Sequence, residues 1–324
     1  MTKAKPFIKW VGGKGQLIGQ LETLLPEDFD SLENVTYIEP FVGGGAMLFN
    51  MLQSHSNIKN AVINDINPDL IGCFRTVKDA PHALIKSLND IQDEYYSLIS
   101  HEERKKYFLE KRSIYNTESL NEIENSSLFI FLNRTCFNGL YRVNKSGLFN
   151  VPFGKYEKPT ICDKDTILKD SELLQNVTIM CGDFEATVKE AYGITLFYLD
   201  PPYRPLSNTS SFNDYTKEKF NDDSQIRLKK FCDRLHAQGH MFLLSNSDCM
   251  AKCGDTFFDE LFSNYYIERV FASRNVNSNP DKRGKLSEIV VRNFTHVPQV
   301  KVCTRANGSG FNWIGNNCVK AKTY

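Results

Sequence analysis

The chain has 324 residues, 41% of them hydrophobic, which is enough for one large α/β domain or two smaller domains with a sizeable core. Its 39 Lys and Arg residues balance 39 Asp and Glu residues, so the net charge does not indicate a nucleic-acid partner and such a claim must rest on local clusters. We expect neither a signal peptide nor a transmembrane helix, because the N-terminus lacks an apolar segment and no apolar run approaches the roughly 18 residues that a span needs.

Short apolar runs alternate with helix-like segments along most of the chain. Five of these runs predict strands, at residues 35–38, 61–64, 177–180, 195–199 and 240–245. Helices are predicted at residues 67–77 and 217–235, and an antiparallel pair of strands at 266–272 and 289–294. Strands that alternate with helices are typical of an α/β fold with a doubly wound, mainly parallel sheet.

Residues 78–170 interrupt this alternation. They begin as charged amphipathic helix, and residues 129–158 are then rich in aromatic, Asn, Gly and basic residues, with five Lys or Arg against one Glu. We therefore predict an inserted, mostly helical domain at 78–170 in an α/β domain formed by 1–77 and 171–296. The pattern assigns no role to the tail at 297–324.

The sequence YIEPFVGGGAML places glycines between a predicted strand and a helix. Gly43 and Gly45 match the start of a dinucleotide-binding fingerprint, but Leu48 stands where its third glycine would be. Asp65 follows Gly45 by twenty residues, where an acid accepts hydrogen bonds from ribose hydroxyls. Because Glu39 would repel a pyrophosphate, we expect a nucleoside with a cationic group such as a sulfonium. A strand–turn–helix corner without a ligand is the alternative.

A second glycine-containing segment, FIKWVGGKGQL, lies near the N-terminus. It is not a P-loop, because Ile8 stands where the first glycine should be. We expect Trp10 to cover a ligand and Lys14 to bind its carboxylate. The alternative is that the segment only caps the sheet.

The run TLFYLDPPYRPL ends a predicted strand in Asp200, Pro201, Pro202 and Tyr203. The prolines hold the backbone extended, and we expect its carbonyls to be free acceptors. Asp200 adds a carboxylate and Tyr203 a flat ring, which together suit a planar amine. Two acceptors would make its nitrogen more nucleophilic, while Asp200 stabilises the developing positive charge. A proline turn capped by Asp200 is the alternative.

The nine cysteines are scattered and form no Cys-x-x-Cys pair, which fits reduced thiols in a cytoplasm. His236, His240, Cys249 and Cys253 could be read as a zinc site, but Gly239 interrupts the histidine pair, and solvated or capping histidines explain it better. We expect no metal.

Six motifs occur in a fixed order between about residues 5 and 294: KWVGGK, EPFVGGGAMLF, NDIN, FLNRTCFNGLYRVNKSGLFNVPFGKYEKP, GDF and DPPY. In this order the sequence resembles the Dam-type N6-adenine DNA methyltransferases. The resemblance implies the fold of an S-adenosyl-L-methionine (AdoMet) enzyme, site-specific methylation of adenine in double-stranded DNA, and a bacterial or phage-encoded cytoplasmic protein. The insertion at 78–170 resembles the target-recognition domain of that family, and residues 1–77 and 171–296 its AdoMet-binding catalytic domain.

The resemblance also implies roles for single residues. Asp200, Pro201, Pro202 and Tyr203 correspond to the catalytic tetrad, which receives a flipped adenine. The cofactor contacts expected from the resemblance and from the glycine loop are Trp10, Lys14, Glu39, Phe41, Gly43, Gly45, Asp65, Asp183, Phe184 and Asp200.

The DNA contacts that the resemblance implies lie in three segments. Leu140, Arg142 and Pro152 correspond to residues that read GATC, and Lys9 to a contact with its guanine. Phe137 stands where the family has an intercalating tyrosine, and Lys155 replaces an arginine, so a bidentate phosphate contact becomes a point charge. The remaining expected DNA contacts are Asn138 and the phosphate-binding Arg274, Lys282, Arg283 and Lys285.

Other functions remain open at this point. A cytosine-N4 methyltransferase is the nearest alternative, although Asp200 rather than serine at the strand tip favours adenine. A nicotinamide-dependent oxidoreductase would use the same glycine loop, but the missing third glycine and the DPPY motif argue against it. A catalytically silent DNA-binding relative is disfavoured by the intact motifs. The sequence does not say whether a cognate restriction endonuclease accompanies the protein.

Overall fold

The computed structural model describes residues 3–204, 220–272 and 286–295, and the backbone of three short strands at 302–304, 310–314 and 317–320. Arg274, Lys282, Arg283 and Lys285, for which phosphate contacts are expected, lie outside the described residues.

A seven-stranded sheet forms the centre of the molecule, in the order β3-β2-β1-β4-β5-β7-β6. The first five strands in this order pair in parallel, whereas β7 pairs antiparallel with both β5 and β6. The strands are β1 (Val35–Glu39), β2 (Ile58–Asp65), β3 (Val177–Cys181), β4 (Thr195–Leu199), β5 (Met241–Ser247), β6 (Tyr266–Ala272) and β7 (Leu286–Arg292). The predicted α/β fold with a mainly parallel sheet is therefore confirmed.

The centre of the sheet is apolar because its strands are covered on both faces. Every residue of β1 and β4 is buried, as expected for parallel strands with helices on either side. In the sheet, β2 and β3 lie on one side of β1, and β4 lies on its other side, so the strand order reverses direction between β1 and β4. Such a reversal opens a crevice at the carboxyl ends of the strands, which is where open α/β sheets bind ligands.

Ten α-helices are present among the described residues, and local signals set several of their ends. Asn67 begins α3 as predicted, because its side chain accepts hydrogen bonds from the amides of Asp69 and Leu70 and Pro68 occupies the first turn. The helices are α1 (Ile18–Glu22), α2 (Ala46–Ser54), α3 (Pro68–Asp79), α4 (Pro81–Ser97), α5 (His101–Thr117), α6 (Glu122–Thr135), α7 (Lys164–Leu174), α8 (Asp222–Ala237), α9 (Cys249–Cys253) and α10 (Phe257–Leu261).

The segment at 78–170 is mostly helical, as predicted, and contains α4, α5, α6 and the beginning of α7. Capping boxes begin both α5 and α6. Its buried side chains, among them Tyr95, Phe108 and Phe131, belong to the same hydrophobic cluster as Tyr37 of the sheet and Leu48 of α2. The core thus continues from the sheet into the insertion, and the division into separate domains stays a prediction.

Several predicted elements differ from the structure at their ends. The strand predicted at 61–64 begins at Ile58, and the strand predicted at 240–245 ends at Ser247. The last strand begins at Leu286 rather than at residue 289, so Glu288 belongs to the sheet. The helix predicted at 217–235 is α8, which begins at Asp222 after the N-cap Asn221, while residues 217–219 lie outside the described part of the chain.

The tail contains a small sheet of its own. Three antiparallel strands, β8 (Val302–Thr304), β9 (Gly310–Ile314) and β10 (Asn317–Lys320), pair in the order β10-β9-β8. Among the described residues, no helix has the length and apolar character to cross a membrane.

Candidate active site

The crevice at the carboxyl ends of β1, β2 and β4 holds a cavity of about 820 Å³. Most residues expected to bind the cofactor or to perform catalysis line it. These are Trp10, Lys14, Glu39, Phe41, Gly43, Asp65, Asp183, Phe184, Asp200, Pro201, Pro202 and Tyr203. Gly45 is the exception: it is the left-handed N-cap of α2 and lies close to the rings of Phe49 and Phe74.

The glycine loop is shaped by Trp10 on one side and by Asp65 on the other. A Cβ atom on Gly43, whose φ is +48°, would lie 2.8 Å from Cδ1 of the Trp10 indole, so only glycine fits beneath this ring. The carboxylate of Asp65 accepts hydrogen bonds from the amides of Gly43, at 3.2 Å, and Asn67, at 3.0 Å. Burial raises the pKa of Asp65 and these amides oppose the rise, so the carboxylate fixes the loop and faces the cavity.

An aromatic wall closes the cavity near the end of β3. The rings of Phe41 and Phe184 have centroids 5.2 Å apart, and Phe220 meets Phe41 edge-on at 6.0 Å. The Arg227 guanidinium lies over the Phe184 ring and donates to Asp183 at 2.5 Å. The flat, apolar wall beside a carboxylate suits a purine with an exocyclic amine.

Glu39 brings a buried carboxylate to the floor of the cavity. It is 2% exposed and accepts a hydrogen bond from the hydroxyl of Tyr37 at 3.0 Å. Burial raises the pKa of Glu39 well above its usual range, the hydrogen bond from Tyr37 opposes the rise, and the nearby charge of Asp200 adds to it. A ligand with a positive charge near this floor would relieve the cost of this burial.

Lys14 contacts the strand tip directly. Its ammonium is 4% exposed and lies 2.9 Å from Oδ1 of Asp200, and it donates to the Tyr203 hydroxyl at 2.6 Å and to the Gly12 carbonyl at 3.2 Å. Burial raises the pKa of Asp200 to about 6, while Lys14 lowers it and Glu288 raises it. The Lys14 ammonium is thus held by two hydrogen bonds and by its ion pair with Asp200, and its expected contact with the cofactor stays a prediction.

One expectation for the strand tip is wrong. The carbonyl of Pro202 is not free, because it accepts a hydrogen bond from the side-chain amide of Gln225 at 3.1 Å. Gln225 is fully buried and in turn accepts from Asn246 at 3.1 Å. Among the described residues, the Pro201 carbonyl has no such partner, so the acceptors left for an amine are this carbonyl and Asp200.

The sequence analysis did not identify two residues of this site, Gln225 and Glu288. Gln225 lies three residues before Leu228 and seven before Cys232, both buried, so the helix period of α8 carries a signal for its inward position. Glu288 accepts a hydrogen bond from the Tyr203 hydroxyl at 2.6 Å and lies 3.5 Å from the Lys14 ammonium. No local pattern marks Glu288, because its partners are distant in sequence.

The N-terminal segment connects this site with the insertion. The backbone amide and carbonyl of Lys9 both bond to the side chain of Asn133, at 2.8 Å each. Asn133 also donates to the carbonyl of Gly139, and the Lys9 stem fills the space that a Cβ on Gly139 would need. Lys14, five residues after Lys9 in the same segment, contacts Asp200 at the strand tip.

The loop after α6 presents most of the expected DNA contacts to solvent. Phe137 is 51% exposed, and Asn138, Arg142, Pro152 and Lys155 are also exposed. Leu140 is partly buried. Arg142 donates through Nε to the side chain of Asn150 at 2.7 Å, which orients its guanidinium at the surface.

The residues of the cavity fit AdoMet by the chemistry of their side chains. An aromatic wall suits the adenine, Asp65 the ribose hydroxyls, and the carboxylates of Glu39 and Asp200 a sulfonium. Among the described residues, no group of three or more His, Cys, Asp or Glu side chains could hold a metal ion.

Comparison with known proteins identifies one family. The D12 class of N6 adenine-specific DNA methyltransferases matches residues 10–276. The type II methyltransferase M.MjaIII of Methanocaldococcus jannaschii is 44% identical over 295 residues, which are 90% of this chain and 100% of the relative. The type II methyltransferase M1.LlaDCHI of Lactococcus lactis is 39% identical, covering 90% of this chain and 95% of its own. A DNA adenine methylase of Vibrio cholerae is 31% identical over 92% of this chain and 99% of its own.

Proposed function

The chain belongs to the D12 class of N6 adenine-specific DNA methyltransferases, and from that premise we propose that it methylates the adenine of GATC after flipping it into the DPPY pocket. Adenine-N6 methylation of DNA follows from the family, and so does AdoMet as the source of the methyl group. The target sequence, the flipped base and the residue roles are the proposal.

The observation that carries the proposal is the position of Asp200 and Pro201 in the wall of one cavity with the glycine loop. N6 of a paired adenine is inaccessible inside a stacked duplex, so the base must leave the helix to reach these acceptors. The cavity of about 820 Å³ has room for a nucleoside cofactor and a purine together.

The reaction can be derived from the side chains at the strand tip. The Asp200 carboxylate and the Pro201 carbonyl accept hydrogen bonds from the two N6 hydrogens, which draws the nitrogen lone pair out of the ring. AdoMet, when bound, would supply an electrophilic methyl group on a sulfonium: as the methyl bond to N6 forms, the methyl–sulfur bond breaks, S-adenosyl-L-homocysteine leaves, and N6 releases one proton to solvent. Asp200 stabilises the positive charge that develops on N6, and Lys14 keeps Asp200 ionised before the base arrives. Tyr203 offers its ring as a wall for the adenine.

Specificity for GATC is proposed from the exposed loop after α6. Arg142 is exposed and held by Asn150, which accepts hydrogen bonds from Nε at 2.7 Å and from Nη2 at 3.4 Å, and the remaining hydrogens of its terminal nitrogens suit the O6 and N7 atoms of a guanine. Phe137, half exposed, suits insertion beside the base that leaves the stack. Pro152 and Leu140 share backbone hydrogen bonds with Phe137, and the Lys9 side chain packs against Gly139.

The test is methylation of an unmethylated plasmid with AdoMet, followed by digestion with endonucleases that cut GATC only when it is methylated or only when it is not. We expect protection from the second enzyme and cleavage by the first. Mass spectrometry of the nucleosides distinguishes N6-methyladenine from N4-methylcytosine. Methyladenine in a plasmid whose GATC sites stay unmodified would refute the target sequence and leave the adenine chemistry intact.

A further inference from the structure

Glu288 lies on β7, opposite the strand tip, and its carboxylate contacts two side chains of the site. The Tyr203 hydroxyl donates to Glu288 at 2.6 Å, and the Lys14 ammonium lies 3.5 Å away. Lys14 donates in turn to the Tyr203 oxygen, so a directed chain of hydrogen bonds runs from Lys14 through Tyr203 to Glu288. The Glu288 side chain is 12% exposed and borders the catalytic tetrad.

The sheet does not require a carboxylate at this position. In the ladder, Glu288 lies opposite Ser247 of β5 and Val270 of β6, so backbone pairing holds its place whatever its side chain. Its neighbour Ile289 packs into the core on the other face. A largely buried carboxylate costs hydration, and the compensation here comes from its contacts with Tyr203 and Lys14.

We propose that Glu288 is a positioning residue for methyl transfer, which fixes the Tyr203 hydroxyl and shares the Lys14 ammonium with Asp200. If the Lys14 ammonium paired with Asp200 alone, its charge would make the Asp200 carboxylate a weaker hydrogen-bond acceptor for N6. With Glu288 present, the ammonium is divided between two carboxylates, and Asp200 keeps the basicity that the amine requires. The inference rests on the proposed role of Asp200 as the acceptor for N6.

The effect on pH dependence has a definite sign. The charged and titratable groups that face Asp200 are Lys14 from the N-terminal segment, Tyr37 and Glu39 from β1, Tyr198 and Tyr203 from β4 and its end, and Glu288 from β7. Asp200 acts as an acceptor when ionised, so activity falls as the pH drops through its pKa of about 6. Removal of the Glu288 charge lowers this pKa and moves the acid limb to lower pH.

The experiment compares Glu288→Gln with Glu190→Gln, an exposed glutamate whose substitution changes the net charge equally. Steady-state methylation of a duplex is measured from pH 5 to 9, AdoMet affinity without DNA by calorimetry, and folding by thermal unfolding. For Glu288→Gln we expect kcat to fall by roughly ten- to a hundredfold, the size of a lost hydrogen bond to a charged group, with KM for DNA within about twofold. The acid limb moves to lower pH, AdoMet affinity changes by less than about threefold, and Glu190→Gln behaves as wild type.

Several outcomes would contradict the inference. A folded Glu288→Gln variant with wild-type kcat overturns it, and so does a lowered kcat with an unmoved acid limb, which would mean a merely structural role. If wild type itself lacks an acid limb near pH 6, the proposed role of Asp200 fails together with this inference. A limb that is present in wild type and unmoved in the variant contradicts the role of Glu288 alone.

Two further variants keep the inference testable if Glu288→Gln does not fold. Glu288→Asp retains the charge but not the reach, so we expect kcat to fall while the acid limb stays in place. Wild-type kcat in Glu288→Asp would overturn the positioning role. Tyr203→Phe removes the hydroxyl that Glu288 holds, and its effect should be less than multiplicative with that of Glu288→Asp.

Discussion

Tyr141 stacks on Trp10, with ring centroids 5.7 Å apart and planes inclined by 22°. Tyr141 lies between Leu140 and Arg142, which we propose read the DNA sequence, but its own ring is buried. Trp10 lines the cofactor cavity and covers Gly43. The stacked rings of Tyr141 and Trp10 therefore connect the residues proposed to recognise DNA with those proposed to bind AdoMet.

We predict that Tyr141→Leu weakens the coupling between DNA binding and AdoMet binding. An aromatic pair contributes about 0.5–1.5 kcal/mol beyond its buried area, so the change in AdoMet affinity caused by DNA should shrink by roughly two- to tenfold. Calorimetry of AdoMet binding with and without a GATC duplex measures it. Tyr192→Leu, at an 81% exposed tyrosine, is the control. An undiminished effect of DNA in Tyr141→Leu would contradict this prediction.

Asp200→Ala should abolish methylation while leaving DNA binding intact. The variant loses the carboxylate that accepts from N6, and a loss of this kind reduces kcat by roughly 10²–10⁴-fold. Lys14 retains Tyr203 and Gly12 as partners, so we expect the fold to persist. Single-turnover methylation and a gel-shift assay measure the two properties, with Asp93→Ala on an exposed face as control. A wild-type rate in Asp200→Ala would refute the mechanism.

Arg142→Ala should relax discrimination at one base pair of the target. A bidentate contact with guanine contributes about 1–3 kcal/mol, so the preference over sites altered at that base pair should fall by roughly five- to a hundredfold. Because Arg142 is exposed, stability should not change. Methylation of duplexes with single substitutions in GATC measures it, and Lys145→Ala in the same loop should leave the preference intact. Equal preferences in Arg142→Ala and wild type would exclude a reading role.

Asp170→Asn should stabilise the protein at alkaline pH. Asp170 is fully buried, and among the described residues its Oδ2 atom has no hydrogen-bond partner. Burial raises its pKa from the ordinary 3.8 to about 8, so the folded state holds the proton more tightly than the unfolded chain, and stability falls as the pH rises from about 4 to about 8. We expect the variant to melt about 2–5 °C higher than wild type above pH 8.

The difference should shrink as the pH falls towards 4, where the wild-type carboxyl is protonated in both the folded and the unfolded chain. Differential scanning calorimetry between pH 4 and 9 measures it. Asp165→Asn, at an exposed position on the same helix, should show no pH-dependent difference. A melting temperature of Asp170→Asn that runs parallel to wild type at every pH would contradict the assignment.

The strands of the sheet could be predicted because a short apolar run in the sequence is enough to indicate a buried strand. Thr195–Leu199 forms β4 with the predicted bounds, since five apolar or β-prone residues are followed by the Asp200-Pro201 break. The sequence predicts the last strand only from residue 289, because the polar Ser287 and Glu288 do not match a buried strand. They belong to β7, and Glu288 finds its polar partners across the site.

The acceptors at the strand tip could be predicted only in part. The prolines do hold the tip apart from the strand ladder, but Gln225, 23 residues later, occupies the Pro202 carbonyl. Likewise Lys14 was recognised as a site residue, while its contact with Asp200 depends on how the N-terminal segment crosses the sheet. Residue type and local spacing indicate which side chains belong to a site. Which atoms form its hydrogen bonds and ion pairs depends on how the whole chain packs.

The wide sequence separation of the site has a consequence for biosynthesis. Lys14 and Tyr203 are 189 residues apart, and Glu288 follows Tyr203 by a further 85. A chain leaves the ribosome N-terminus first, so Lys14 emerges long before any of its charged partners. Contacts of such separation form late, because long loops must close before they are made. The proposed catalytic contacts are therefore completed only late in synthesis, and a chain that ends before Glu288 lacks the carboxylate that the Tyr203 hydroxyl contacts.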